Sequence, residues 1–153
     1  MPIFQKKENH MKVIIVRGLP GSGKSTWTQN NCPDAYVCSA DKFFEREGEY
    51  KFNPSLLPHA HAACMGAFIE ALREERPLVV VDNTNVTKIE IAPYISVAQA
   101  FGYEVEIIYV QKKHSIQKLV ERNIHKIPYR SVENMESRWE DNFPLYWPQQ
   151  RFV

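Results

Sequence analysis

Between Met11 and Trp27 the chain reads MKVIIVRGLPGSGKSTW, and no other stretch narrows the possible folds so far. Val13, Ile14, Ile15 and Val16 form an unbroken β-branched run, which predicts a short strand covered on both faces. Gly18, four residues, then Gly23, Lys24 and Ser25 complete the pattern G-x-x-x-x-G-K-[ST]. Glycines at 18, 21 and 23 allow positive φ and leave room for phosphate oxygens against main-chain amides. A helix starting near Lys24 aims its free N–H groups and positive dipole end at the same anion. Lys24 is expected to reach the β- and γ-phosphates of ATP, and the Ser25 hydroxyl to ligate Mg²⁺. Gly18, Gly21, Ser22, Gly23, Lys24, Ser25 and Thr26 therefore make up the expected nucleotide-binding set. The competing reading, a glycine turn that binds nothing, is disfavoured by a complete motif set between a buried strand and a helix.

The rest of the composition restricts partners and setting. At 153 residues the chain fits one domain, expected over 11–153, and a formal net charge of +1 gives no broad basic field for a nucleic-acid track. Contact with nucleic acid would therefore be local. Cys32, Cys38 and Cys64 are odd in number and widely spaced, which argues against a disulfide framework or zinc site and for a reducing, cytoplasmic setting. No apolar run approaches a membrane span, and the polar residues 1–10 read as a flexible extension.

Strands and helices alternate along the chain. After the first helix, 30–34 turns the chain into a strand at Ala35–Ser39. The segment 41–52 is aromatic and charged, with a turn at Gly48. Pro54 opens a helix whose apolar positions recur at helical spacing as far as Arg76-Pro77. Leu78–Val81 is a third strand, ending at Asp82. Thr87 caps a helix over Lys88–Phe101 that Gly102 stops. Tyr103–Val110 is the fourth strand, and a helix follows over Ser115–Asn123. Ser131 caps a last helix with Val132, Met135, Trp139 and Phe143 on one face, and the tail 144–153 packs back without forming an element. Such alternation predicts a three-layer α/β fold with a parallel sheet of about four strands. The expected spatial order is second, third, first, fourth.

Ligands of such sheets gather at the carboxyl ends of the strands. Asp41 lies just past the second strand, where it either deprotonates an acceptor hydroxyl or caps the following turn. Asp82 either holds Mg²⁺ with Ser25 or is a strand-end turn residue. Asn83, Thr84 and Asn85 either bind an acceptor or form Asx-turns. His61 is expected to be half-buried and hydrogen-bonded, with substrate contact in a cleft as the alternative. Arg122, His125, Lys126 and Arg130 cluster about Pro128, either as a lid over roughly 122–131 or as a solvated basic turn.

Taken together, Gly18–Ser25, Ser39-Ala40-Asp41, Tyr50-Lys51-Phe52-Asn53-Pro54, Ala60-His61, Val81-Asp82-Asn83-Thr84-Asn85 and Arg122-Asn123 through Pro128 resemble the polynucleotide-kinase-like P-loop family. Within it the likeness is to small ATP-binding proteins described as AAA-type or as kinases. The resemblance implies ATP-dependent phosphorylation of a 5′-hydroxyl on RNA or DNA, with Asp41 as general base and Arg122 acting from a lid. Lys126 stands where phage polynucleotide kinases carry a second lid arginine, keeping the charge without the bidentate fork, and Arg130 is a substitute. Phe44 stands where the family places an arginine on the acceptor's 3′-phosphate. Either Arg46 reaches across instead, or Phe43 and Phe44 stack on a base. A kinase of a small acceptor such as a nucleoside, nucleotide or sugar, and a non-catalytic ATP-binding interaction module, are the alternatives.

Overall fold

The computed structural model describes residues 10–123 and 125–153. Apart from His10, the expected extension 1–10 lies outside the described residues. The chain begins with β1 (Lys12–Arg17), which is buried from Val13 onward as its continuous apolar run requires. α1 (Lys24–Asn31) starts directly after Gly23, and β2 (Tyr36–Cys38) is shorter than the expected Ala35–Ser39. A 3₁₀ turn over 40–44 leads into a small hairpin, β3 (Glu45–Arg46) and β4 (Glu49–Tyr50). Its two turn residues, Glu47 and Gly48, both have positive φ, the geometry that matches the twist of paired strands. α2 (Leu57–Arg73), β5 (Leu78–Asp82), α3 (Lys88–Ala100) and β6 (Glu104–Tyr109) follow as anticipated. α4 (Ile116–Arg122), α5 (Tyr129–Ser137) and β7 (Gln150–Phe152) complete the chain.

The sheet has five strands, one more than expected, in the order β2-β5-β1-β6-β7, and every pairing is parallel. The four anticipated strands keep their order, and β7 extends the sheet beyond β6. Three residues after a proline, without a β-branched run, carry no strand signal of their own. Pairing with Ile107–Tyr109 makes them one, and Arg151 meets Glu106 at 3.1 Å, on the same carboxylate that Lys12 grips from β1 at 2.6 Å. The last helix also departs from expectation. It starts at Tyr129 after Pro128 rather than at a Ser131 cap, and ends before Trp139 and Phe143.

Alternation along β1 sorts the core into layers. Val13 and Ile15 face Phe68 and Leu72 of α2 and Ile91 and Ile95 of α3. Ile14 and Val16 face the other way, against Cys32 and Trp27 of the α1 side. Leu19 of the glycine turn packs with Leu119 of α4 and Val132 of α5. His61, in contrast to its expected half-burial, is exposed on α2, because the buried face runs through Ala60, Cys64, Phe68 and Ala71. No described helix is long and apolar enough to cross a membrane.

Candidate functional site

The glycine turn is built by what its neighbours leave no room for. A Cβ on Gly18 would fall 2.7 Å from Ser22 Oγ and from the Val110 carbonyl oxygen. Gly21 has φ +80°, and a Cβ there would fall 2.4 Å from the Leu119 carbonyl oxygen of α4. Gly21→Ala is therefore expected to destabilise the fold by about 2 kcal/mol or more, combining positive-φ strain with a backbone clash. Gly66, inside α2 with nothing within 4 Å of its Cβ position, is the control. Gly66→Ala should stabilise by about 0.5–1 kcal/mol. Thermal melts that rank the two alike would refute the packing described for Gly21.

Polar groups in the turn suit a bound polyphosphate. Gly23 caps α1 in the left-handed region at φ +102°, with nothing within 4 Å of where its side chain would begin. The Ser22 hydroxyl is buried without a hydrogen-bond partner among the described residues, a cost that a ligand oxygen would relieve. Lys24 Nζ donates to the Leu19 carbonyl at 3.2 Å. Burial pushes the Lys24 ammonium below its usual range, while the charges of Asp82 and Asp41 oppose that shift. Ser25 Oγ donates to Asp82 Oδ2 at 3.1 Å, the hydroxyl–carboxylate pair that can hold a magnesium ion beside phosphate. Burial pushes the Asp82 carboxyl up, and Lys24 and the Ser25 hydroxyl hold it back. Thr26 is exposed on the first turn of α1.

Asp41 sits in the 3₁₀ turn after β2, its side chain 51% exposed, and its charge reaches both Lys24 and Asp82. Its main-chain N–H donates to Ser39 Oγ at 3.2 Å. Tyr50 Oη donates to Asp41 Oδ1 at 3.0 Å, and His125 Nε2 lies 3.8 Å from Asp41 Oδ2. The connection between α4 and α5 therefore lies beside this carboxylate. Arg122, Lys126 and Arg130 belong to that connection and its flanks, exposed and without an ion-pair partner among the described residues.

Asn83, Thr84 and Asn85 serve mainly as a strut. Asn83 Oδ1 accepts from the Ala40 N–H at 2.8 Å, which ties the Asp41 turn to the end of β5. The Thr84 carbonyl accepts from the Gly18 N–H at 3.2 Å. Asn85 is buried, with Nδ2 donating to the Val16 carbonyl at 2.9 Å, so the structure turns it away from an acceptor. Phe44 is likewise withdrawn. It is 3% exposed and meets Phe43, Tyr50 and Phe52 edge-on, which leaves no face for a base. Arg46 is exposed and lines a cavity of about 250 Å³ with Phe43, Lys51, Phe52 and Leu56. His61 has no hydrogen-bond partner among the described residues.

The residue that sequence reasoning missed is Arg17, fully buried at the end of β1. Nε donates to the Asn85 carbonyl at 3.0 Å, and one terminal nitrogen donates to Asp141 Oδ1 at 3.1 Å and Gln150 Oε1 at 3.0 Å. The other donates to the carbonyls of Val86 at 3.0 Å and Glu140 at 2.8 Å. Trp139 covers the guanidinium at 4.0 Å. Burial lowers the Arg17 pKa, and Asp141 foremost opposes that. An arginine beside a glycine turn carried no local signal of this role, since every partner lies 68 or more residues away.

Comparison with known proteins bears on the family and the fold. The profile of AAA_33, described as an AAA domain, matches residues 13–140. Human NEDD4-binding protein 2 is 29% identical over 145 residues, covering 90% of this chain and 8% of that protein. The bifunctional polynucleotide phosphatase/kinase of Schizosaccharomyces pombe is 26% identical over 145 residues, covering 91% of this chain and 32% of that protein. The chain thus spans a third or less of these relatives. A gluconokinase from Sinorhizobium meliloti 1021 superimposes with a TM-score of 0.59 at 17% identity, covering 94% of this chain and 83% of that one. At that identity the likeness is one of fold.

Proposed function

The chain belongs to the AAA_33 family and has the P-loop kinase fold, and from that premise we propose that it transfers the γ-phosphoryl group of ATP to a 5′-hydroxyl of RNA or DNA. The observation that carries this reading is a half-exposed carboxylate, Asp41, on a turn whose Ala40 N–H is bonded to Asn83, the residue next to the Ser25–Asp82 pair. Phosphoryl transfer asks for little beyond positioning, charge and a carboxylate for the incoming alcohol. Lys24, the Ser25–Asp82 pair and Asp41 support that reading.

In this reading the turn Gly18–Ser25 holds the phosphates through main-chain N–H groups, the Ser22 hydroxyl and Lys24. Ser25 and Asp82 would hold Mg²⁺, which neutralises charge on the β- and γ-phosphates when bound with the nucleotide. Asp41 accepts the proton of the acceptor hydroxyl as its oxygen bonds to the γ-phosphorus. The bond from that phosphorus to the bridging oxygen breaks, and ADP leaves with the electron pair. Arg122, Lys126 and Arg130 supply positive charge from a lid formed by the α4–α5 connection. Arg46, Lys51 and Phe52 form an acceptor groove with cations for a phosphate and an exposed ring for a base. Three free cysteines fit a cytoplasmic setting.

A net charge of +1 favours the second reading, a small hydroxylated acceptor, because long polyanions generally meet broader basic surfaces. The two separate in one assay with γ-labelled ATP and Mg²⁺, offering 5′-hydroxyl oligonucleotides, nucleosides and sugars in parallel. Label on oligonucleotide ends supports the proposal, and label on small acceptors alone replaces it with the second reading. ATP binding without label on any acceptor would mark an interaction module.

A further inference from the structure

Two elements approach the Asp41 carboxylate from different parts of the chain. From the hairpin, the Tyr50 hydroxyl donates to Oδ1 at 3.0 Å. From the α4–α5 connection, His125 Nε2 stands 3.8 Å from Oδ2, with its imidazole side chain only 20% exposed. The two side chains also touch each other. Their ring centroids are 3.9 Å apart and the planes are inclined by 34°.

Behind this contact the Tyr50 ring is fixed in turn. It lies parallel to Phe52 at 6.4 Å and meets the buried Phe44 at 6.1 Å, so it cannot swing out without opening the aromatic packing under the hairpin. Burial, with Asp41 beside it, pushes the Tyr50 hydroxyl far above its ordinary range. It therefore stays protonated, and the hydrogen bond runs from phenol to carboxylate. An exposed carboxylate left to itself rotates between equivalent oxygens. One fixed by a donor on a rigid ring presents a single oxygen in a single direction.

We propose that Tyr50 is a positioning residue for phosphoryl transfer. Its hydroxyl pins Oδ1 of Asp41 and so fixes the plane in which the carboxylate meets the acceptor, and its ring seats His125, so that docking of the α4–α5 connection and orientation of the base are one event. The proposal rests on the reading of Asp41 as the base. It adds a residue that the phosphate-binding pattern does not include. It also explains why Arg122, Lys126 and Arg130 need no ion-pair partner of their own to be placed, since the His125 contact anchors the connection that carries them.

Tyr50→Phe isolates the hydroxyl, because the ring and its three aromatic contacts remain. With whichever acceptor the wild-type protein labels, kcat is expected to fall about 10- to 100-fold, the range of a lost charge-assisted hydrogen bond. KM for ATP and for the acceptor should stay within about twofold, as for a contact that acts on the transition state alone. Thermal melting should match the wild type. In an Asp41→Asn background the same change should cost nothing further, because a residue acting through the base cannot slow a proton transfer that the base no longer performs. Tyr50→Leu removes the seat of His125 as well and should fall below Tyr50→Phe. Tyr50→Phe at the wild-type kcat, or a full multiplicative loss in the Asp41→Asn background, overturns the inference while leaving the kinase reading intact. A wild-type protein that labels no acceptor overturns both.

Discussion

Asp41→Asn is expected to lower kcat for acceptor phosphorylation by about 10²- to 10⁴-fold, the usual contribution of a positioned general base, with ATP affinity unchanged within about threefold. The substitution is nearly isosteric, but it removes the ability to take a proton together with the negative charge. The Tyr50 hydroxyl can still donate to the amide oxygen in place of Oδ1, and the Ala40 N–H bond to Asn83 is untouched. The turn should therefore stay in place. Nucleotide affinity should change little, because Asp41 lies in the turn after β2 and outside the glycine turn Gly18–Ser25. Rapid-quench kinetics with labelled ATP, beside equilibrium titration of the nucleotide, measure the two quantities separately. Full retention of kcat would remove Asp41 from the chemistry, and a large loss of ATP affinity would make it part of the nucleotide site instead.

Arg17→Met should destabilise the protein by about 3–5 kcal/mol, the range for deleting one partner of a buried ionic cluster, and lower Tm by roughly 10 °C or more. Methionine fills much of the volume but leaves the carbonyls of Asn85, Val86 and Glu140 without their donor inside the protein. It also takes a donor away from Asp141 and from Gln150, the first residue of β7. Arg17→Lys keeps the charge but cannot reproduce the fork, so its loss should be intermediate. Because β1 runs straight from Arg17 into the glycine turn, weakened ATP binding should accompany the lost stability. Denaturant melts decide the matter. A change below about 1 kcal/mol, the scale of an exposed ion pair, would show that the cluster is ornamental.

The sequence was most legible where local chemistry leaves no choice. A β-branched run, three glycines, a lysine and a serine specify strand, turn and helix within a few residues, and the structure places β1, Gly23 and α1 accordingly. Alternating strands and helices announce a parallel sheet, because a right-handed crossover is the only short way to connect such strands. Asp41 and Asp82 could be placed at strand ends from their position after apolar runs. What escaped was every feature settled by packing rather than by a local pattern. Phe44 reads as available for stacking until the hairpin folds Tyr50 and Phe52 onto it. Asn85 reads as a recognition residue until its amide is found bonded to Val16, and Gln150–Phe152 reads as a tail until β6 offers it an unpaired edge.

By itself, then, the order of residues determined a phosphate cradle, its flanking elements and the carboxylates ranged beside it, because neighbours in the chain supply all the atoms that those features need. Only the tertiary structure decided that Arg17 would become a buried hub, that Tyr50 and His125 would meet beside Asp41, and that Gln150–Phe152 would extend the sheet. Those outcomes depend on groups that only folding brings together, most of them tens to more than a hundred positions apart, whose burial and pairing no local pattern can encode.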